Sequence, residues 1–143
     1  MSERGLRPVL RLPAYAAAGF AFEVAFSALH DLGRGRRVRV RTSPWMLTVY
    51  ALLLPLYEPV HDRLRGKPLL LRATVYGLGF LGVEYASGKA FRRLLGEAPW
   101  DYTYARRHVD GLIRPDYFFL WALAGLLAER LHDELTGARE ASP

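Results

Sequence analysis

Four apolar segments, separated by tufts of arginine, constrain this chain more than any other feature. They are PAYAAAGFAFEVAFSALH (13–30), PWMLTVYALLLPLYEPV (44–60), LLLRATVYGLGFLGVEYASG (69–88) and YFFLWALAGLLAERLHDEL (117–135). Each runs 17 to 20 residues, which at about 1.5 Å per helical residue approaches the thickness of a hydrocarbon core. Stretches 14–22 and 117–128 are apolar all round, without the polar face of a surface helix. Trp45, Trp100, Tyr102, Tyr104 and Tyr117 gather near segment ends, where amphipathic rings suit a membrane interface. Two facts pull the other way. The longest uncharged run, 42–57, has 16 residues, and mean hydropathy is only +0.02, as buried helices of a soluble bundle would also give. On balance the pattern predicts an all-α polytopic membrane protein located in the cell (inner) membrane. Its single integral domain, 1–143, would hold four transmembrane helices in a compact bundle, at 13–31, 44–64, 69–93 and 116–135. A structured interfacial loop, 96–115, would join the third helix to the fourth. The N-terminal MSERGLRPVLRLPAYAAAGFAF resembles a signal sequence, but Glu23 interrupts its apolar run, so a retained first helix is expected.

Each segment carries one deep carboxylate: Glu23, Glu58, Glu84 and Glu129. Helical spacing groups Gly19, Glu23, Ser27 and His30 on one stripe, and Tyr50, Leu54, Glu58 and His61 on a second. The third stripe holds Tyr76, Phe80, Glu84 and Gly88, the fourth Trp121, Gly125, Glu129 and His132. An ionised carboxylate facing lipid costs several kcal/mol, so these stripes are expected to face one another around a polar axis. Glu58 stands out, because Pro55 and Pro59 strip helical partners from the carbonyls of Ala51 and Pro55 and mark a helix break. EPVHDRLRG (58–66) and ERLHDELTG (129–137) share E-x-x-H-D and then a Gly four residues after the Asp. With the looser match of FEVAFS to VEYASG, this admits two pseudo-repeated helical hairpins. Gly77, Gly79 and Gly82 permit close helix packing, and Arg72 is placed to snorkel.

Lys and Arg outnumber Asp and Glu by 20 to 14, and the arginines cluster at 34–41, 63–67, 92–93 and 106–107. Such clusters suit anionic lipid headgroups. Nucleic acid fits less well, since no finger spacing or RNP-type strand accompanies them. The chain has no Cys, which excludes disulfides and thiolate metal sites. His30, His61 and His132 with the carboxylates offer a Glu/His cluster for a divalent metal, although no HExxH or His-x-x-x-His pair exists to specify one. No nucleophile elbow and no G-x-x-x-x-G-K-[ST] occurs, so an ATP-hydrolysing role is excluded and no cofactor is indicated.

The connection GEAPWDYTYARRHVDGLIRPDYFFLW (96–121) carries the most specific text. PWDY, then GLIRPDY followed by Trp121, together with SPWMLTVY, LYEP and VEYASG, resembles the transmembrane protein 229 family. Bacterial members of that family are labelled type IV ABC-transporter permeases. The resemblance spans roughly residues 14–134 and implies a small four-helix membrane protein. It implies a polar set of Glu23, Glu58, Glu84, Trp100, Asp101, Tyr102, Gly111, Asp116, Tyr117, Trp121 and Glu129. The basic ARRHVD (105–110) departs from the family pattern. Read from the residues alone, Asp101 can accept from nearby N–H groups and pins the loop through Arg106, Arg107 or Arg114, Gly111 supplies a turn, Asp116 caps the fourth helix, and Asp110 and Arg114 complete the candidate loop motif. The expected function is a membrane transport or permease-like component with a carboxylate-lined axis, joined by a separate ATPase or membrane subunit or by further copies of itself. The alternatives are a structural or regulatory subunit of a membrane complex, and a membrane-embedded enzyme acting on a lipid-like substrate.

Overall fold

The computed structural model describes residues 7–38 and 43–138. Arg39 and Arg41 of the first arginine cluster lie outside the described residues. In chain order the helices are α1 (Pro8–Gly33), α2 (Trp45–Ala51), a π-helical turn (Leu53–Tyr57), α3 (Glu58–Leu64), α4 (Leu69–Leu95), a 3₁₀ turn (Pro115–Tyr117) and α5 (Phe118–Thr136). Pro8 occupies the first turn of α1, where its missing N–H costs nothing. Gly96 and Gly137 end α4 and α5 in the left-handed conformation, with φ of 84° and 70°. The register changes where the prolines stand: α2 stops at Ala51 and the π turn contains Pro55.

The chain forms two compact units, divided between Tyr57 and Glu58. In the first, α1 packs on α2. A Cβ at Gly19 would lie 2.3 Å from Tyr50 Cγ, so only glycine lets the two helices approach this closely. Tyr50 then donates its hydroxyl to Glu23 Oε2 at 2.9 Å, and Tyr15 is fully buried. In the second unit α4 packs on α5. Gly125 sits against Tyr76, Gly77 against Phe118, and Phe80 stacks on Trp121 at 5.4 Å. Gly79 and Gly82 face open space.

The structure corrects the four-span expectation. Among the described residues, α1 alone is long and apolar enough to cross a membrane. The second expected span is two seven-residue helices joined by the π turn. The third carries Arg72, Glu84, Lys89, Arg92 and Arg93, and α5 bears Glu129, Arg130, Asp133 and Glu134 in its last two turns. The multi-pass cell-membrane location rested on those spans and falls with them. Two repeated hairpins are not formed either. The unit boundary separates α2 from α3, so the segment that should have been one hairpin arm contributes to both units.

The 96–117 connection is folded by contacts within itself and with α4. Leu112 is fully buried against Gly88, and the Trp100 indole donates to the Leu112 carbonyl at 2.9 Å. Tyr102 N–H donates to Gly111 O at 2.8 Å, and Asp110 and Gly111 both take positive φ (54° and 69°). Tyr85 and Lys89 hold the Asp110 carboxylate at 2.7 and 3.1 Å, which supports a conformation a non-glycine residue seldom adopts.

Candidate functional site

A buried cluster of histidine and acid is built where α3, α4 and the end of α5 meet. His61 comes from EPVHD and His132 from ERLHD; they are 2% and 3% exposed. Their rings meet edge-on, with centroids 4.8 Å apart. Each histidine lies between the acids of the other segment. His61 Nδ1 is 2.9 Å from Tyr76 Oη and 3.6 Å from Glu129 Oε1, and its Nε2 is 3.3 Å from Asp133 Oδ1. His132 Nδ1 is 3.4 Å from Glu58 Oε1, and its Nε2 is 3.4 Å from Asp62 Oδ1. The repeated E-x-x-H-D thus works by exchange: glutamate behind Nδ1, aspartate in front of Nε2, both from the opposite copy.

Tyr76 sets the proton on His61. Its hydroxyl donates to Glu129 Oε1 at 2.8 Å, so its oxygen accepts from His61 Nδ1–H. The His61 Nε2 then points at the Asp133 carboxylate. Arg72 holds the other Glu129 oxygen. One side chain bridges the aspartates: Arg65 lies 2.8 Å from Asp133 Oδ1 through Nη1 and 3.4 Å from Asp62 Oδ1 through Nη2. Burial alone would raise the Asp133 pKa, but hydrogen bonds from Arg65 and His61 outweigh it and hold the carboxyl below its usual range. Burial, reinforced by the neighbouring His61, pushes the His132 pKa down despite the opposing pull of Glu58, Asp62 and Asp133. His132 is therefore neutral at pH 7, with one proton for two facing carboxylates.

The depressed His132 pKa has a consequence for stability. The unfolded chain binds this proton more tightly than the folded one, so the contribution is complete above about pH 6.5 and is lost as pH falls from there through the folded pKa. Thermal unfolding with chelator present should show Tm declining below about pH 6.5, and His132→Gln should flatten that decline. Asp133 also acts in acid, but its window lies below the ordinary aspartate pKa of 3.8.

Of the residues singled out in sequence, Glu58, His61, Glu129 and His132 meet in this cluster. Glu84 and Trp121 do not join it: Glu84 accepts from Tyr102 Oη at 2.7 Å and Trp121 Nε1 at 3.1 Å, a separate buried node that ties the loop to α5. Glu23 belongs to the other unit with its Tyr50 partner, and His30 is exposed there. Asp101 is exposed and binds Thr103 N and Oγ1 rather than an arginine. Asp116 pairs with Arg114 and caps no helix, while Arg114 also reaches Tyr117, whose pKa burial pushes up to about 12. The carboxylate-lined axis is therefore corrected: each of the four glutamates is engaged locally. With α1 the one span-length helix among the described residues, and a cluster of acid and histidine in place of a shared axis, the transport, membrane-subunit and lipid-enzyme readings lose their basis.

Asp62, Asp133, Arg65, Arg72 and Tyr76 complete the cluster and were not singled out as site residues. The repeat did contain both aspartates. Only their reach across the packed helices reveals their part. Among the described residues, His61, Asp62 and His132 present ligand atoms within 4.8 Å of one another, a group able to hold a metal ion. Residues 12–139 match the family described as "Putative ABC-transporter type IV". No solved structure matches the chain.

Proposed function

Because the chain belongs to this type IV ABC-transporter family, whose description names no ligand, the site itself must indicate one, and we propose that it is a divalent-metal centre formed by His61, Asp62 and His132, with Asp133 beside it facing His61 Nε2. The observation that carries this reading is the exchange of acids between the two E-x-x-H-D segments. Two imidazole Nε2 atoms face two aspartates across 3.3 and 3.4 Å, while both Nδ1 atoms are backed by glutamate or tyrosine. A cation placed between an imidazole nitrogen and the carboxylate oxygen facing it is bound by both. In a four-coordinate site with bonds of about 2.0–2.1 Å, neighbouring ligand atoms stand roughly 3.3 Å apart, close to both Nε2–Oδ1 separations. Histidine ligands also usually give their second ring N–H to a carboxylate, as Glu58 and Glu129 with Tyr76 allow here. Mixed imidazole and carboxylate donors suit Zn²⁺, Mn²⁺, Fe²⁺ or Co²⁺ rather than Ca²⁺ or Mg²⁺.

Zn²⁺ titration by calorimetry at pH 7.5, and Co²⁺ absorption in the d–d region, test this. The expected result is one ion per chain, with binding lost in His61→Ala and His132→Ala and weakened in Asp62→Asn. A folded wild-type protein that binds neither ion, or folded histidine variants that bind as well as wild type, would overturn it.

A further inference from the structure

We propose that Arg65 is a resident counter-cation: its guanidinium ties the metal ligand Asp62 to Asp133 and supplies the positive charge there while no ion is bound, and it swings out when the ion enters. This rests on the metal reading above and concerns how that site is regulated. An arginine that merely finished α3 would pair with Asp62, three residues back on its own helix. Arg65 goes further, and its shorter contact, 2.8 Å, is to Asp133 at the end of α5. The two oxygens it bridges are the two that face the histidine Nε2 atoms. The repeat supplies only one such residue, because Thr136 stands in the second segment where Arg65 stands in the first. Thr136 turns its hydroxyl back to the His132 carbonyl at 2.8 Å, leaving Arg65 to serve both aspartates.

The arginine is also placed to leave. Its side chain is 43% exposed, in the turn after α3 and before Gly66, whose φ of 75° reverses the chain. Rotation about its side-chain bonds takes the guanidinium to solvent without moving α3 or α5. The bridging geometry keeps two carboxylates from repelling each other when no metal is bound, and it sets a threshold for binding, since the ion must displace one positive charge.

The test compares wild type, Arg65→Gln and Arg63→Gln by Zn²⁺ calorimetry and Co²⁺ absorption at pH 7.5 and fixed ionic strength. Arg63 is exposed on the same helix and donates to the Pro59 carbonyl, so its loss removes the same charge away from the aspartates. Arg65→Gln should bind roughly tenfold more tightly, and Arg63→Gln within about twofold of wild type. Arg65→Lys, which keeps the charge but lacks the planar fork that reaches one aspartate through each Nη, should fall between wild type and Arg65→Gln. Equal effects at Arg65 and Arg63 would reduce the result to net charge and overturn the proposal, as would weaker or unchanged binding in Arg65→Gln while wild type binds. No binding by any of the proteins refutes the metal centre itself, and the displacement with it.

Discussion

Glu129→Ala should destabilise the protein by about 3–5 kcal/mol, the usual cost of breaking a mostly buried ion pair from one side. Glu129 and Arg72 have side chains 12% and 24% exposed, so solvent cannot readily take over the arginine's charge once the carboxylate is gone. The loss also strands Tyr76 Oη, which donates to Glu129 Oε1, and through it the proton on His61. Glu129→Gln should cost less, since it keeps an acceptor for Tyr76. Combining Glu129→Leu with Arg72→Met should recover much of the stability, because a buried pair replaced by apolar side chains is often tolerated. Urea unfolding of the four proteins measures this. A loss below about 1 kcal/mol in Glu129→Ala would show that the pair behaves as a surface contact.

Gly125→Ala comes next in size and runs against helix propensity. Alanine in a helix interior is favoured over glycine by about 1 kcal/mol. At this position, however, the new Cβ would sit 2.3 Å from Tyr76 Cβ and 2.6 Å from Cγ. Those atoms are close to the α4 backbone and cannot rotate away, so α4 and α5 must separate. Overpacking of this kind costs about 1–3 kcal/mol, and the clash is severe enough that it should outweigh the gain and lower stability by about 2 kcal/mol net. The displaced Tyr76 would weaken Zn²⁺ binding as well. Gly79→Ala on α4 is the control, since its Cβ meets nothing within 4 Å. It should stabilise by about 0.5–1 kcal/mol. If both substitutions stabilise, the close approach of α4 and α5 at Gly125 is not real.

The comparison between Gly19 and Gly125 shows how far sequence could lead. Gly-x-x-x-Glu occurs at 19–23 and at 125–129, and in each unit the glycine admits a tyrosine whose hydroxyl bonds that glutamate: Tyr50 to Glu23, Tyr76 to Glu129. The stripes read from helical spacing already contained these residues, because spacing along one helix is a local property. Which tyrosine crosses to which glutamate is decided by the neighbouring helix. Arg72 illustrates the same limit. Its place one turn into an apolar segment fitted a snorkelling side chain, yet packing of α4 on α5 turns it inward to Glu129.

Local chemistry, then, determined the helices and their ends. Pro8, Gly96 and Gly137 bound them through fixed φ or the left-handed conformation, and the prolines at 55 and 59 mark the change of register. The motifs in 96–121 and the E-x-x-H-D repeat were also legible, and the family followed from the former. Apolar length misled about the membrane, because it counts residues along a segment and not where charge falls within the finished helix. Charges at 129–134 and the break at 53–57 leave α1 as the one span-length apolar helix among the described residues. Only the tertiary structure decided that each histidine takes its acids from the other copy, across 72 residues in the case of His61 and Asp133. Contacts at that separation depend on how α3, α4 and α5 pack, and no periodicity within one helix encodes the partner it will meet.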